Sequence, residues 1–399
     1  MNKLSIRQIV EHGCLEQRIV LACARRAMSG EDQNRLAALI GQGPDWDRLY
    51  AAAVAHGMLP LTFRWLNRLP RPLVPPPALR RIGREFVVND MRCRNLVDEL
   101  LRLTSVFEAA GIDSVPYKGP ALADEIFGDA SLRQAGDLDI LIRRGDAARA
   151  VQVVIAEGYQ PHANLRGQVR FDLRTMYHFE FSHPARPPVE LHWRFCDDVD
   201  FPVDWHALWS RLARRELAGR SIRVLQPEET LVVLCVHAAK DLWNRMILLA
   251  DVGELIRNRP RLDWTRVLAG AMSADSRRML TVGLLLARDM MDVPLPPIAA
   301  MECGRDLTAR VLAGRIALRM MTGPARSAGP AERISFAMAV RHRTRDKHLY
   351  VANRARNMLT PDAMDRQWLA LPRGLSFLYY AVRPVRRLVE LVAMSLLKQ

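Results

Sequence analysis

The chain has few cysteines, and none are paired by spacing. Cys14, Cys23, Cys93, Cys196, Cys235 and Cys303 stand far apart and form no CxxC pair. That argues against a zinc site or a disulfide framework and fits reduced thiols. Long apolar runs are missing too. No stretch reaches the roughly 18 uncharged apolar residues of a spanning helix. The opening MNKLSIRQIVEHGCLEQRIV carries charges inside its apolar pattern, so no signal peptide is expected and a cytoplasmic location is. Acidic residues are in deficit, at 43 against 58 Lys and Arg, for a net charge of +15. Lysine is scarce and arginine supplies most of the positive charge.

What is present is ordinary for a globular protein: 49% apolar and 25% charged residues over 399 positions, enough for two or three domains and a sizeable core. Large-scale disorder is excluded on composition. The basic excess favours polyanionic partners such as nucleic acid, phosphorylated ligands or an anionic membrane. The scattered arginines read equally as solvated helix faces.

Periodicity divides the chain into helix, mixed and helix regions. Short helices are expected up to about residue 70, the clearest running from Asp45 to Leu66 with a stop at His56-Gly57. After the proline-rich LPRPLVPPPALRR, a long helix over about 79–110 is expected, with Val87 and Met91 in its apolar stripe. SVPYKG reads as a strand, PALADEIFG as a helix opened by Pro120, and DLDILI as a second strand. DAARAVQVVIAEG reads as a helix capped by Asp146, and MYHFEFSHP and PPVELHWRF as two further strands. Helices resume at QPEET. The expected organisation is α+β: helices over 1–105, a small mixed-sheet core over 106–225, and helices over 226–399.

Side chains on a strand alternate between faces. Asp137 and Asp139 therefore share one face of DLDILI, with Leu138, Ile140 and Ile142 opposite. In YHFEF, His178 and Glu180 oppose Tyr177, Phe179 and Phe181; in VELHWRF, Glu190, His192 and Arg194 oppose Val189, Leu191, Trp193 and Phe195. A DxD standing alone reads as the wet face of a half-exposed antiparallel sheet. If these strands adjoin, at least four carboxylates gather on one face and repel. A divalent cation relieves the conflict, and Mg²⁺ takes carboxylate oxygens together with water and substrate phosphate.

The YKG turn precedes a helix N-terminus, where Gly119 admits a phosphate close to the backbone. Lys118 and Arg133 are candidates to bind phosphate oxygens; singly, each reads as a solvated or salt-bridged surface cation. A single helix after Pro227 would line up His237, Lys240, Asn244 and Asp251 as a polar stripe. Turned to the sheet, that stripe brings Lys240 to a phosphate and lets Asp251 pair with Arg245 or cap a neighbour; turned outward, it is an exposed face. Near the C-terminus, MAVRHRTRDKHLYVANRARNML is basic, and LSFLYYAVRPVRRLVELVAMSLL mixes apolar bulk with Arg383, Arg386 and Arg387. These segments suit an anionic membrane, RNA, or packing on the protein itself with arginines pointing outward.

Strand, glycine turn, helix, DxD strand and a later carboxylate strand resemble the polymerase-β-like nucleotidyltransferase superfamily. YKGPALADEIFGDASLRQAGDLDILI followed by VELHWRF is more closely similar to the bacterial uncharacterised nucleotidyltransferases, over most of residues 40–260. The wider superfamily has Gly-Gly or Gly-Ser where this chain has Lys118-Gly119. The resemblance implies Mg²⁺ (or Mn²⁺) held by Asp137, Asp139 and Glu190, with Glu180 as the other candidate for third carboxylate. It also implies an NTP donor, ATP foremost, bound by Lys118, Gly119, Arg133 and Lys240. Glu180, His192, His237 and Asp251 would stand behind these groups, His192 orienting Glu190 or the acceptor. The acceptor, a peptide, small molecule or RNA, is open. So are a toxin-like tRNA nucleotidyltransferase and a non-catalytic RNA- or membrane-binding protein on the same scaffold.

Overall fold

The structure is a computed structural model describing residues 4–161, 177–195, 203–273, 276–323, 329–341, 343–361, 365 and 368–396. Cys196 and Met176 lie outside the described residues. Five short helices come first: α1 (Ile6–Glu11), α2 (Leu15–Ala22), α3 (Gly30–Ile40), α4 (Trp46–Ala55) and α5 (Leu59–Leu66). Asp45 caps α4 by accepting from the backbone N–H groups of Asp47 and Arg48. The chain then reverses at His56 and at Gly57, whose φ is +68°. The long helix α6 (Pro76–Ala109) follows; Val87 and Met91 are exposed on it, outside the apolar stripe expected of them.

Among the described residues the sheet has five strands: β1 (Ser114–Pro116), β2 (Leu138–Ile142), β3 (Gln160–Pro161), β4 (His178–Ser182) and β5 (Val189–His192). Their order is β1-β2-β5-β4-β3. β2 and β5 run parallel and the other neighbours antiparallel. Helix α7 (Gly119–Phe127) joins β1 to β2, and α8 (Ala147–Ala156) lies in the crossover that a parallel pair requires. Leu138, Ile140, Ile142, Phe179, Phe181, Val189 and Leu191 face a core shared with α8 and the second half of α6. Phe195 is the exception to the alternation: past the end of β5 it crosses to the opposite core, with Tyr117, Leu141 and Trp209.

After α9 (Trp205–Ser210), the strands β6 (Ala213–Leu217) and β7 (Arg220–Val224) form a separate hairpin absent from the sequence reading. Its turn residues Ala218 and Gly219 both have positive φ, +46° and +77°, as a two-residue hairpin demands. The single helix expected after Pro227 is two helices, α10 (Pro227–Lys240) and α11 (Met246–Asn258). Between them Leu242 and Trp243 adopt φ of +54° and +52°, and fully buried Trp243 packs beside Gly283. The chain continues through α12 (Trp264–Ser273), α13 (Arg277–Met291), α14 (Pro297–Arg305), α15 (Leu307–Met321), α16 (Pro330–Val340) and α17 (Thr344–Leu359). Helices before and after the sheet share one apolar core. In the last helix, Tyr379–Leu396, Arg383 and Arg386 turn inward to the buried Asp365, at 3.2 and 2.6 Å; Arg387 stays half-exposed. No described helix is long and apolar enough to cross a membrane.

Candidate metal and nucleotide site

The site forms where β2 and β5 present their polar side chains near the start of α7. Asp139 and Glu190 are register partners on the parallel pair, so their side chains leave the same face side by side. One strand further, Glu180 pairs with Glu190 and His178 with His192. This face is enclosed: Asp139 is 6% exposed and His192 2%. A carboxylate with this little water needs compensation from the protein or from a ligand.

Two protein groups supply part of it. Lys118 Nζ lies 2.6 Å from Asp139 Oδ1, and His192 Nε2 lies 3.1 Å from the same oxygen. His192 Nε2 is also 2.9 Å from Glu190 Oε2, bridging the two carboxylates. Burial works to raise the Asp139 pKa, but Lys118 and His192 outweigh it and hold the carboxyl well below the usual range. Glu190 is likewise lowered: burial and the repulsion of Asp139 raise it, and the His192 hydrogen bond together with the charges of His192 and His178 outweighs them. Asp137, just before β2, goes the other way. Burial, then the charges of Asp139 and Glu190, push it up to about 6. The cluster thus has more negative charge than its own cations neutralise.

Ligand atoms of Asp139, Glu190 and His192 lie within 4.8 Å of one another, as do those of His178, Glu180 and Glu190. Asp137 belongs to neither trio. The donor set, adjacent carboxylates with an imidazole in a covered site, fits a divalent metal ion. Glu180 is at the rim, its side chain 53% exposed and 3.3 Å from His178.

The Lys-Gly turn closes the site from above. Tyr117 N–H donates to the Asp139 carbonyl at 3.3 Å, carrying the β1–β2 pairing one step on. Gly119 then takes φ +66°, and a Cβ there would sit 3.4 Å from the Asp137 carbonyl oxygen. Glycine is favoured at such a left-handed corner. Lys118 occupies the N-cap position of α7.

Arg133 does not point freely into solvent. It is buried, and its Nε donates to both oxygens of the fully buried Asp251, at 3.1 and 3.0 Å. The carboxylate expected opposite Arg245 or at a cap is thus engaged by Arg133. His237, on α10, has its pKa driven well down by burial first and then by the nearby Lys118. Arg133 and Lys240 act on it in the same sense. Lys240 Nζ donates to the Tyr177 hydroxyl at 2.6 Å and lies 4.2 Å from that ring's centre.

Tyr177 is a second residue that alternation misplaces. It stands before β4, with its ring 4.1 Å from His178 and 5.9 Å from His192, rather than joining Phe179 and Phe181 in the core. Tyr117 meets His192 edge-on at 5.1 Å. The two histidine rings stack at 4.9 Å. The adjacency of Tyr177 and His178 in the sequence was the available signal for this aromatic wall.

A family model described as uncharacterised nucleotidyltransferase matches residues 42–292, and the chain belongs to that family. No curated protein matches the chain.

Proposed function

Starting from that family membership, we propose that the protein transfers a nucleoside monophosphate from an NTP, ATP foremost, to an acceptor hydroxyl or phosphate and releases pyrophosphate. The acceptor is a peptide, a small molecule or an RNA. The supporting observation is the placement of Asp139 and Glu190 as parallel register partners under the Lys118-Gly119 turn. Asp137, Asp139 and Glu190 are the residues that would hold Mg²⁺ or Mn²⁺. When bound, the cation supplies charge neutralisation for the triphosphate and for the attacking oxygen.

The chain's own groups do the rest. The α7 N-terminus and Gly119 offer backbone N–H groups to phosphate oxygens, and Lys118 and Lys240 put positive charge around them, while Arg133 is held by Asp251. The acceptor oxygen forms a bond to the α-phosphorus as the bond to the bridging oxygen breaks. Pyrophosphate leaves with that electron pair, and the acceptor proton passes out through the carboxylate cluster. His192 fixes the Glu190 and Asp139 carboxylates relative to one another. Glu190, rather than the rim residue Glu180, is assigned as third carboxylate because it adjoins Asp139.

The test is incubation with each α-³²P-labelled NTP, Mg²⁺ or Mn²⁺, and cell extract. Label should pass to an acceptor, and Asp137→Ala and Asp139→Ala should each abolish transfer. Labelling that persists unchanged in both variants defeats the assignment.

A further inference from the structure

We propose that Lys118 is a displaceable counter-ion: it neutralises Asp139 while the cation is away and moves to the nucleotide phosphates when the cation binds. This deepens the metal-site reading above and rests on it. The ammonium lies 2.6 Å from Asp139 Oδ1, with the two side chains only 13% and 7% exposed. His192 Nε2 faces the same oxygen at 3.1 Å. A divalent cation ligated by Asp139 competes directly with the ammonium, because two cations crowded at one oxygen repel.

The ammonium has somewhere to go. Lys118 is the N-cap residue of α7, so its stem starts at a helix end that attracts phosphate. Phosphate charge arriving there takes up the ammonium that the metal expels.

The residue type fits this use. In a chain where arginine carries most of the positive charge, this position is lysine. Lysine is a compact point charge on a flexible stem, whereas an arginine would grip the carboxylate with a rigid fork. A grip that must be released favours lysine.

Reciprocity follows: nucleotide strengthens cation binding to the extent that the cation strengthens nucleotide binding. The test measures Mn²⁺ alone binding to the full-length protein, by electron paramagnetic resonance of free Mn²⁺ and by calorimetry. Thermal unfolding checks that each variant is folded. Lys118→Met should bind Mn²⁺ more tightly than the native protein, within the roughly 5- to 150-fold range of such couplings. Lys118→Arg should bind it as weakly as the native protein or more so. At saturating Mn²⁺, Lys118→Met should bind a non-hydrolysable NTP analogue less tightly.

Unchanged or weakened Mn²⁺ binding in Lys118→Met overturns the counter-ion role. If Asp139→Ala meanwhile abolishes Mn²⁺ binding, the metal site stands without it. If Asp139→Ala leaves Mn²⁺ binding intact, the metal-site reading falls as well.

Discussion

Arg133 and Asp251 are 118 residues apart in the chain and meet as a buried ion pair, one guanidinium nitrogen donating to both carboxylate oxygens. The pair ties the segment leading into β2 to α11. Removing one partner strands the other without water, which typically costs about 3–5 kcal/mol. Arg133→Met should therefore lower stability by that order in urea unfolding, and Asp251→Leu similarly. The double variant should recover most of the loss, since a well-packed apolar pair avoids both desolvation penalties. Additive losses in the double variant would show that the two residues act independently.

The third carboxylate is decided by kinetics. Glu190→Gln should cost transfer activity more than the roughly 10–100-fold typical of groups that merely support metal ligands. Glu180→Gln, at the rim, should stay within that range. The reverse order would move the site one strand outward, onto His178 and Glu180.

His56 makes a pH prediction of its own. Both of its ring nitrogens are buried with no hydrogen-bond partner among the described residues, and burial lowers its pKa to about 4 from 6.5. Between those values the unfolded chain binds the proton that the folded one refuses. Its contribution is complete above pH 6.5 and is lost as pH falls to 4, at roughly 3 kcal/mol overall. His56→Leu should flatten that part of the acid limb in urea titrations at pH 6.5 and 4. Parallel limbs for variant and native protein would remove His56 as the cause.

The break between α10 and α11 is held by packing. A Cβ at Gly283 would lie 2.5 Å from Cys235 Sγ and 3.0 Å from the Trp243 ring. Gly283→Ala should cost about 1–3 kcal/mol through overpacking. Trp243→Ala should cost about 3–5 kcal/mol through the void it leaves. Denaturant midpoints for both variants test this, and a neutral Gly283→Ala would show that α13 shifts freely.

Strand periodicity made the sheet legible, because a period of two leaves Asp139, Glu190 and His192 only one face once Ile140 and Leu191 are buried. The Lys-Gly turn was legible for a similar local reason: a left-handed corner before a helix start asks for glycine. Three features were not readable. Nothing between Asp241 and Arg245 breaks a helical pattern, since neither glycine nor proline is present; Trp243 nevertheless takes positive φ and packs beside Gly283. Arg133 and Asp251 are unremarkable separately, and only the packing of α11 against α7 and the turn after it joins them. The β6–β7 hairpin turns on Ala-Gly, a weaker signal than Asn-Gly, with arginines on its strands masking the alternation.

The parallel pairing of β2 with β5 has a consequence for the order of folding. A hairpin can close locally, but these strands meet only after the intervening α8, β3 and β4 have been accommodated. Contacts across such a long loop pay their closure entropy before they return any stabilisation, and so tend to form late. Bringing Asp139 beside Glu190 therefore carries a closure-entropy cost that the antiparallel β4–β5 pair of the same sheet largely avoids.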